Sequence, residues 1–170
     1  MMKLLYAPWR STYTTDTAHT KNDNVSEKDC IFCQQFAQTE DEKYLILRRF
    51  EHNVVMLNLY PYNAGHLLLM PLRHHAHLNQ MEQAARAELM ELTMHAVDIL
   101  TAVLGAHGVN TGFNFGKAAG AGIPSHLHMH ALPRWVGDTN FLPALSQTKQ
   151  ISFDLHDLYK KLKPAFDNVK

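Results

Sequence analysis

This sequence has few features of a disulfide scaffold, a nucleic-acid-binding protein or a membrane protein. It contains only two cysteines, so a framework of several disulfide bonds is excluded. Sixteen basic residues are balanced by sixteen acidic ones, and this zero net charge provides no field to attract a nucleic-acid polymer or an anionic membrane. The longest apolar runs, such as Leu67–Pro71, are far shorter than the roughly 20 residues of a membrane-spanning helix. We therefore expect neither a membrane nor a nucleic-acid partner.

The composition is that of one globular domain. With 170 residues, of which 46% are hydrophobic, the chain is long enough to bury a sizeable core. The beginning of the sequence lacks the apolar segment of a signal peptide, so we expect a cytoplasmic protein. The unusual feature is histidine, which occurs twelve times.

The spacing of apolar residues predicts an α+β fold. The predicted strands are Tyr44–Arg49, Asn53–Asn58, His66–Met70, Gly112–Phe115 and His126–Pro133. Apolar residues recurring every three or four positions predict one long helix over Gln80–Leu104, which Gly105 ends. A short helix is predicted over Asp154–Lys163. Residues 1–29 are expected to form an irregular arm, because Ser11–Ser26 shows neither helical nor strand periodicity.

Three histidines alternate with apolar residues in the last predicted strand. Because successive side chains of a strand point to opposite faces, His126, His128 and His130 share one face. A single histidine here would suit an exposed edge strand. Three in register suit phosphoryl or nucleotidyl transfer, because neutral imidazole is a nucleophile near pH 7 and a protonated neighbour neutralises phosphate oxygens.

A glycine-rich loop, Gly116–Pro124, comes directly before these histidines. Glycines such as Gly120 and Gly122 allow backbone N–H groups to approach phosphate oxygens, and Ser125 adds a hydroxyl group. The loop lacks the Gly-Lys-Ser/Thr triplet of a P-loop. Taken alone, it also suits a flexible connection between two strands.

The two cysteines are spaced as Cys-x-x-Cys, at Cys30 and Cys33. This spacing alone leaves zinc binding, redox chemistry and coincidence open. A structural zinc site needs two further ligands, preferably histidines. A thioredoxin-like site is disfavoured because no βαβ pattern surrounds the motif.

The run His126–Leu132 resembles the signature of the histidine triad (HIT) superfamily, in which three histidines alternate with apolar residues. The segments Asn58–His66 and Met70–Arg73 and the glycine-rich loop resemble the same superfamily. Ala7–Arg10 and Pro133–Phe141 are similar to a bacterial branch that includes diadenosine tetraphosphate hydrolases and phosphorylases. Together these stretches cover most of the chain, roughly residues 5–142.

The resemblance implies a HIT fold with a five-stranded antiparallel sheet, one long helix and one short helix, and it implies a homodimer. Residues 1–170 would form a single HIT domain. The arm would span residues 1–29, the HIT core residues 30–142, and a C-terminal extension with the short helix residues 143–170.

The resemblance also assigns roles in the site. The middle histidine, His128, would be the nucleophile and would carry a covalent nucleotidyl group. His130 and His66 would flank the phosphate, with Asn114 as a further catalytic residue. Asn58 would bind the ribose hydroxyls, although it also suits a cap on the turn after its strand. The other expected nucleotide-binding residues are Gly120, Gly122 and Ser125.

One position departs from the pattern of several relatives. Those relatives place Gln and then Ser or Thr four and three residues before the first triad histidine, whereas this chain has Gly122 and Ile123. Hydrogen bonds to the phosphate would therefore come from backbone N–H groups, Asn114 or Ser125. The resemblance for this reason does not transfer the leaving-group and acceptor preferences of those relatives.

In many similar proteins, two cysteines and two histidines bind zinc. By position, the implied ligands here are Cys30, Cys33, His74 and His126, with His75 and His77 as less favoured substitutes for His74. Such a zinc ion would be structural and would leave His128 free. Reduced, metal-free cysteines are the alternative.

The expected activity is hydrolysis of a dinucleoside polyphosphate, such as diadenosine tetraphosphate, or of a nucleotidyl ester or phosphoramidate. One alternative is a phosphorylase, in which phosphate rather than water resolves the histidine intermediate. Another is a nucleotide-binding module without catalysis. The sequence does not distinguish water from phosphate, because a few loop contacts select the acceptor.

Overall fold

The structure is a computed structural model that describes residues 25–146 and 153–169. The Ala7–Arg10 motif and nearly all of the expected arm lie outside the described residues.

A five-stranded antiparallel sheet forms the centre of the fold. Its strands are β1 (Ile46–Arg49), β2 (Asn53–Leu57), β3 (Leu67–Pro71), β4 (Gly108–Phe113) and β5 (Met129–Arg134), in the spatial order β1-β2-β3-β5-β4. The described helices are α1 (Ile31–Phe36), α2 (Gln83–Leu104), α3 (Leu142–Ser146) and α4 (Leu155–Asp167). The predicted sheet and the long helix are confirmed, whereas the short helices α1 and α3 were not predicted.

The long helix begins three residues later than predicted. Residues Leu78–Gln80 form a separate 3₁₀ turn, in which the side-chain oxygen of Gln80 accepts the N–H groups of Ala76 and His77 at 2.8 and 2.9 Å. At the other end, Gly105 adopts the left-handed conformation with φ 63°, which is typical of a glycine that ends a helix. Its predicted role is confirmed. The last helix, α4, is capped by the Asp154 carboxylate and runs to Asp167, past the predicted end.

The largest errors in the predicted strand boundaries are at β4 and β5, whereas β1, β2 and β3 differ from the prediction by at most two residues at either end. Strand β4 was placed at Gly112–Phe115 but spans Gly108–Phe113. It lies at the edge of the sheet, where its partly exposed residues carry little apolar alternation. Strand β5 begins at Met129 rather than His126, because the Leu127 N–H donates to the carbonyl of His75, beyond the end of β3, at 2.6 Å.

The sheet is covered on both faces. Helices α2 and α4 pack on one face, where the larger apolar cluster includes Leu69, Leu100 and Phe166. The shorter helix α1 covers part of the other face with a cluster that includes Phe32. Strands β2 and β3 are buried on both sides. The site histidines lie on the α1 face, where Phe32 packs against His126 and His128.

None of the helices in the described ranges combines the length and the apolar character that crossing a membrane requires.

Candidate active site and metal centre

The three alternating histidines line the α1 face of the sheet. Their apolar neighbours Leu127 and Met129 lie in the core under α2, so the predicted separation of faces is observed. The ring centroids of His128 and His130 are 5.1 Å apart. His126 and His128 are buried and His130 is half-buried, which places the more accessible end of the row at His130.

The backbone fixes the tautomer of His128. Its Nδ1 lies 2.8 Å from the carbonyl oxygen of His126. Because a carbonyl only accepts, Nδ1 carries the proton and Nε2 keeps its lone pair. Burial lowers the pKa of His128 below its ordinary value, which favours the neutral imidazole near pH 7.

A chain of side-chain contacts joins His66 and His130 to two asparagines. His66 Nε2 lies 2.9 Å from His130 Nδ1. Asn114 Nδ2 lies 3.4 Å from His130 Nε2, and Asn58 Nδ2 lies 3.3 Å from His66 Nδ1. The structure therefore brings together these four residues that the sequence singled out, next to His128.

One backbone group sets the direction of the hydrogen bond between His66 and His130. The N–H of Tyr62 donates to His66 Nδ1 at 3.1 Å, so that nitrogen is unprotonated and Nε2 bears the hydrogen. His66 consequently donates to His130 Nδ1. The hydrogen of neutral His130 then lies on Nε2. Asn114 Nδ2 is also a donor, so the Asn114 amide accepts this hydrogen only when it is turned to present Oδ1.

Gly65 shapes the turn before His66. Its φ is 75°, and a Cβ atom there would lie 2.4 Å from Leu104 Cδ1. The turn therefore favours glycine mainly for its conformation, since the nearby Leu104 atom is the end of a flexible side chain that can move. At the start of the same turn, Asn58 Oδ1 accepts the Tyr60 N–H at 2.9 Å, which is the capping contact considered as the alternative for Asn58.

The glycine-rich loop contains one 3₁₀ turn, Lys117–Ala119. The N–H of Gly120 donates to the Lys117 carbonyl at 2.8 Å, so in this conformation it is used within the loop. Gly122 is half-buried. Ser125 is buried, and its hydroxyl has no hydrogen-bond partner among the residues that the structure describes. A phosphate would reach this hydroxyl only after a movement of the loop, and the phosphate-binding role of the loop stays a prediction.

The four implied metal ligands form one cluster. The ligand atoms of Cys30, Cys33, His74 and His126 all lie within 4.8 Å of one another. Cys33 Sγ is 3.3 Å from His74 Nδ1 and 3.5 Å from His126 Nδ1. His75 and His77, the sequence-based substitutes, are not part of this cluster.

The surroundings of the cluster orient both imidazoles toward it. His74 Nε2 lies 3.1 Å from the Val25 carbonyl, and His126 Nε2 lies 2.9 Å from the Pro71 carbonyl. Each Nε2 therefore bears the hydrogen, and each Nδ1 presents a lone pair to the cysteines. Histidine ligands of metals commonly have such outer hydrogen bonds, so the donor set and its surroundings fit a tetrahedral zinc ion.

The ionisation of these ligands also depends on burial. Burial lowers the pKa of His126 to about 4, which keeps its ring neutral and able to donate a lone pair. Burial, assisted by the nearby Cys30, raises the pKa of the Cys33 thiol to about 12. A bound cation favours the thiolate, and metal binding at this cluster would therefore release protons.

Sequence reasoning missed three aromatic residues at the site. Phe32 of α1 contacts the rings of His126 and His128 at centroid distances of 5.5 and 5.6 Å, and Phe36 contacts His126 at 5.7 Å. Their i, i+4 spacing around the Cys-x-x-Cys motif was the available signal for α1. Tyr62 contacts His66 and His130, and no short-range pattern indicated it.

A buried carboxylate supports the turn that carries His66. Asp138 Oδ2 accepts from Arg134 Nε at 2.6 Å and from Asn63 Nδ2 at 3.0 Å. The side chain of Asp138 is only 7% exposed. The hydrogen bond from Arg134 holds the pKa of Asp138 well below its ordinary value.

We expect Asp138→Asn to lower the free energy of unfolding by about 1–3 kcal/mol at pH 7, since it removes charge-assisted hydrogen bonds in a buried site. The folded-state pKa of Asp138 is depressed, so its contribution is present above the unfolded-state pKa of about 3.9 and is lost as pH falls toward the folded-state value. The difference between variant and wild type should therefore shrink below about pH 4.

Denaturant unfolding of both proteins between pH 7 and pH 3 measures this difference. Asp98→Asn, at an exposed position of α2, is the matched control. Equal stability of Asp138→Asn and wild type at pH 7 would contradict the assigned role.

Comparisons with known proteins identify the family of this chain. The family model of the HIT domain matches residues 38–136. The chain belongs to the HIT family. An AP-4-A phosphorylase of Mycobacterium tuberculosis is 34% identical over 161 residues, which cover 95% of this chain and 83% of that protein.

Solved structures show the same HIT fold. A zinc-bound histidine triad family protein from Mycobacterium smegmatis has a TM-score of 0.67 at 23% identity, covering 84% of this chain and 96% of that one. A Plasmodium falciparum diadenosine triphosphate hydrolase has a TM-score of 0.60 at 18% identity, covering 74% and 78% of the two chains. The resemblance stated from the histidine run and the predicted fold class are thereby confirmed.

Proposed function

We propose that this HIT-family protein is a nucleotidyl-transferring enzyme that cleaves a dinucleoside polyphosphate through His128. The observation that carries the proposal is the contact between His128 Nδ1 and the His126 carbonyl, which leaves Nε2 as a nucleophile. In the adjacent imidazole pair, His66 orients His130, whose Nε2–H is a hydrogen-bond donor for a phosphate oxygen.

The reaction has two displacements. His128 Nε2 attacks the α-phosphorus, a P–N bond forms, and the bond to the bridging oxygen of the leaving polyphosphate breaks. An acceptor oxygen then attacks the same phosphorus and the P–N bond breaks, which regenerates the imidazole. The Nε2–H of His130 is placed to stabilise the charge that develops on the phosphoryl oxygens in both steps.

The sequence and the comparisons favour different acceptors for the nucleotidyl group. Water was the first expectation and phosphate the alternative. The Mycobacterium tuberculosis relative is named a phosphorylase of diadenosine tetraphosphate, and at 34% identity over 95% of this chain it favours phosphate. With diadenosine tetraphosphate, phosphate as acceptor would yield ADP and ATP, whereas water would yield AMP and ATP.

We also propose that the Cys30, Cys33, His74 and His126 cluster holds a structural zinc ion. The proposal is supported by the two thiols and two correctly oriented imidazoles within 4.8 Å of one another. When bound, zinc would join α1 to the segment that carries His128. Reduced cysteine ligands are consistent with the cytoplasmic location expected from the sequence.

A homodimer is the expected assembly. Strand β4 is at the edge of the sheet, and no described strand pairs with its outer side. Met90 and Met94 are more than half exposed on α2, which packs against β4. A free strand edge beside an exposed apolar helix face favours pairing with a second copy. Light scattering measures the mass that checks this assembly.

Product analysis by mass spectrometry tests the proposed reaction. The protein is incubated with diadenosine tetraphosphate in ¹⁸O-labelled water, with and without inorganic phosphate. We expect unlabelled ADP that depends on added phosphate. Label in AMP would instead assign water as the acceptor. The absence of any nucleotide product under both conditions would contradict cleavage of this substrate.

A further inference from the structure

Tyr62 lies against two of the site's imidazoles. Its ring centroid is 4.8 Å from that of His66 and 5.7 Å from that of His130. The ring is nearly parallel to His130, with an interplanar angle of 20°. No other tyrosine among the described residues has a ring contact with the row of site histidines.

The backbone of Tyr62 takes part in the same arrangement. Its N–H donates to His66 Nδ1 and thereby sets the direction of the hydrogen bond from His66 to His130. One residue thus fixes the protonated nitrogen of the imidazole pair with its backbone and restrains the planes of both rings with its side chain.

The turn that carries Tyr62 is anchored on its far side. The next residue, Asn63, is buried and donates through Nδ2 to the Pro133 carbonyl and to the Asp138 carboxylate, both at 3.0 Å. The backbone N–H of His66 donates to the Asn63 carbonyl at 3.2 Å. The position of the Tyr62 ring is therefore determined by the fold rather than by a flexible loop.

We propose that Tyr62 is a positioning residue that orients the His66–His130 pair, so that the Nε2–H of His130 is held toward a phosphate oxygen of the substrate. A ring that stacks nearly parallel on His130 and also lies against His66 restrains both imidazole planes, and aromatic contacts at these centroid distances are favourable. The proposal rests on the function proposed above and adds to it a residue that acts through His130.

The test compares Tyr62→Phe, which keeps the ring, with Tyr62→Leu, which removes it. With diadenosine tetraphosphate as substrate, Tyr62→Leu should lower kcat about tenfold and change KM by less than about threefold, since the pair acts on charge that develops in the transition state. Tyr62→Phe should restore kcat to within about twofold of wild type. Tyr60→Leu, on the same turn and 73% exposed, is the matched control and should not change either constant.

A second measurement reports on the pair without turnover. In protein labelled with ¹⁵N-histidine, the ring resonances of His66 and His130 should show fixed Nε2–H tautomers in wild type and in Tyr62→Phe. Tyr62→Leu keeps the backbone N–H that sets the tautomer but loses the ring that restrains both imidazole planes, so these resonances should broaden and shift, while those of His74 and His126 stay unchanged. The thermal midpoint of each variant identifies any loss of folding.

Three results would overturn the proposal. These are a kcat of Tyr62→Leu within twofold of wild type, an equal loss of kcat in Tyr60→Leu, and unchanged His66 and His130 resonances in Tyr62→Leu. Failure of the proposed function is distinguishable, because wild type itself would then not cleave the substrate. In that case the resonances alone decide whether Tyr62 orders the pair.

Discussion

Replacing His128 with alanine is expected to reduce turnover by at least about three orders of magnitude while nucleotide affinity stays within about tenfold of wild type. The variant removes the only nucleophile in the proposed reaction. The groups that would hold the phosphate and the ribose, His130, His66 and Asn58, remain in place because their hydrogen bonds to one another do not involve the His128 side chain. The variant should therefore lose turnover and still bind nucleotide.

Single-turnover kinetics with diadenosine tetraphosphate measures the chemical step, and calorimetric titration with AMP measures affinity. A second arm quenches wild type in acid-free denaturant and searches for a nucleotidyl adduct on the peptide that contains His128. His95→Ala is the matched control, since His95 is exposed on α2, which packs on the opposite face of the sheet. Turnover retained by His128→Ala would exclude the covalent mechanism, whatever the products.

Loss of metal from the Cys30, Cys33, His74 and His126 cluster is expected to destabilise the fold before it changes the chemical step. Helix α1 has six residues, and besides the cluster it is attached by the Phe32 and Phe36 side chains and by the hydrogen bond from Arg49 Nη1 to the Phe36 carbonyl. If free zinc exceeds its Kd about 1,000-fold, removing it costs about 4 kcal/mol of stability. Cys33→Ser should produce a comparable loss, because a hydroxyl is a poor replacement for thiolate.

Metal content is measured by elemental mass spectrometry on protein purified under reducing conditions without chelator. Thermal unfolding then compares untreated protein, chelator-treated protein and Cys33→Ser. His75→Ala is the control, because His75 is next to His74 but outside the cluster. One equivalent of zinc with a lowered midpoint after chelation is the expected result. A structural metal would be ruled out if the purified protein contains no metal and has the same thermal unfolding midpoint before and after treatment with chelator.

The parts of the site that depend on periodicity were predictable. The two-residue alternation of His126–Leu132 correctly separated a histidine face from a core face, because the strand period is enforced by burial. The position of His74 was predicted only through family resemblance. Three nearby histidines have similar local sequence, and what selects His74 is the path of the chain after β3.

The parts that depend on contacts between distant segments were not predictable. Asn63 and Asp138 are 75 residues apart, and neither occurs in a pattern that indicates a pair. Tyr62 stands in a turn whose sequence predicts only the turn, while its ring contact with His130 depends on how β5 lies beside β3. The edge strand β4 was misplaced because it has too few apolar residues to show a period, and the helix α1 was missed because six residues make fewer than two turns.

His126 takes part in both the Cys30, Cys33, His74 and His126 cluster and the active site around His128, but through different atoms. Its ring belongs to the metal cluster, whereas its main-chain carbonyl accepts the hydrogen of His128 Nδ1. Every amino acid has that carbonyl, so mutation of residue 126 removes a ligand without removing the acceptor. If the cluster holds the proposed zinc ion, a descendant of this protein can lose that ion through mutation at this position and still inherit a nucleophile in the same tautomer.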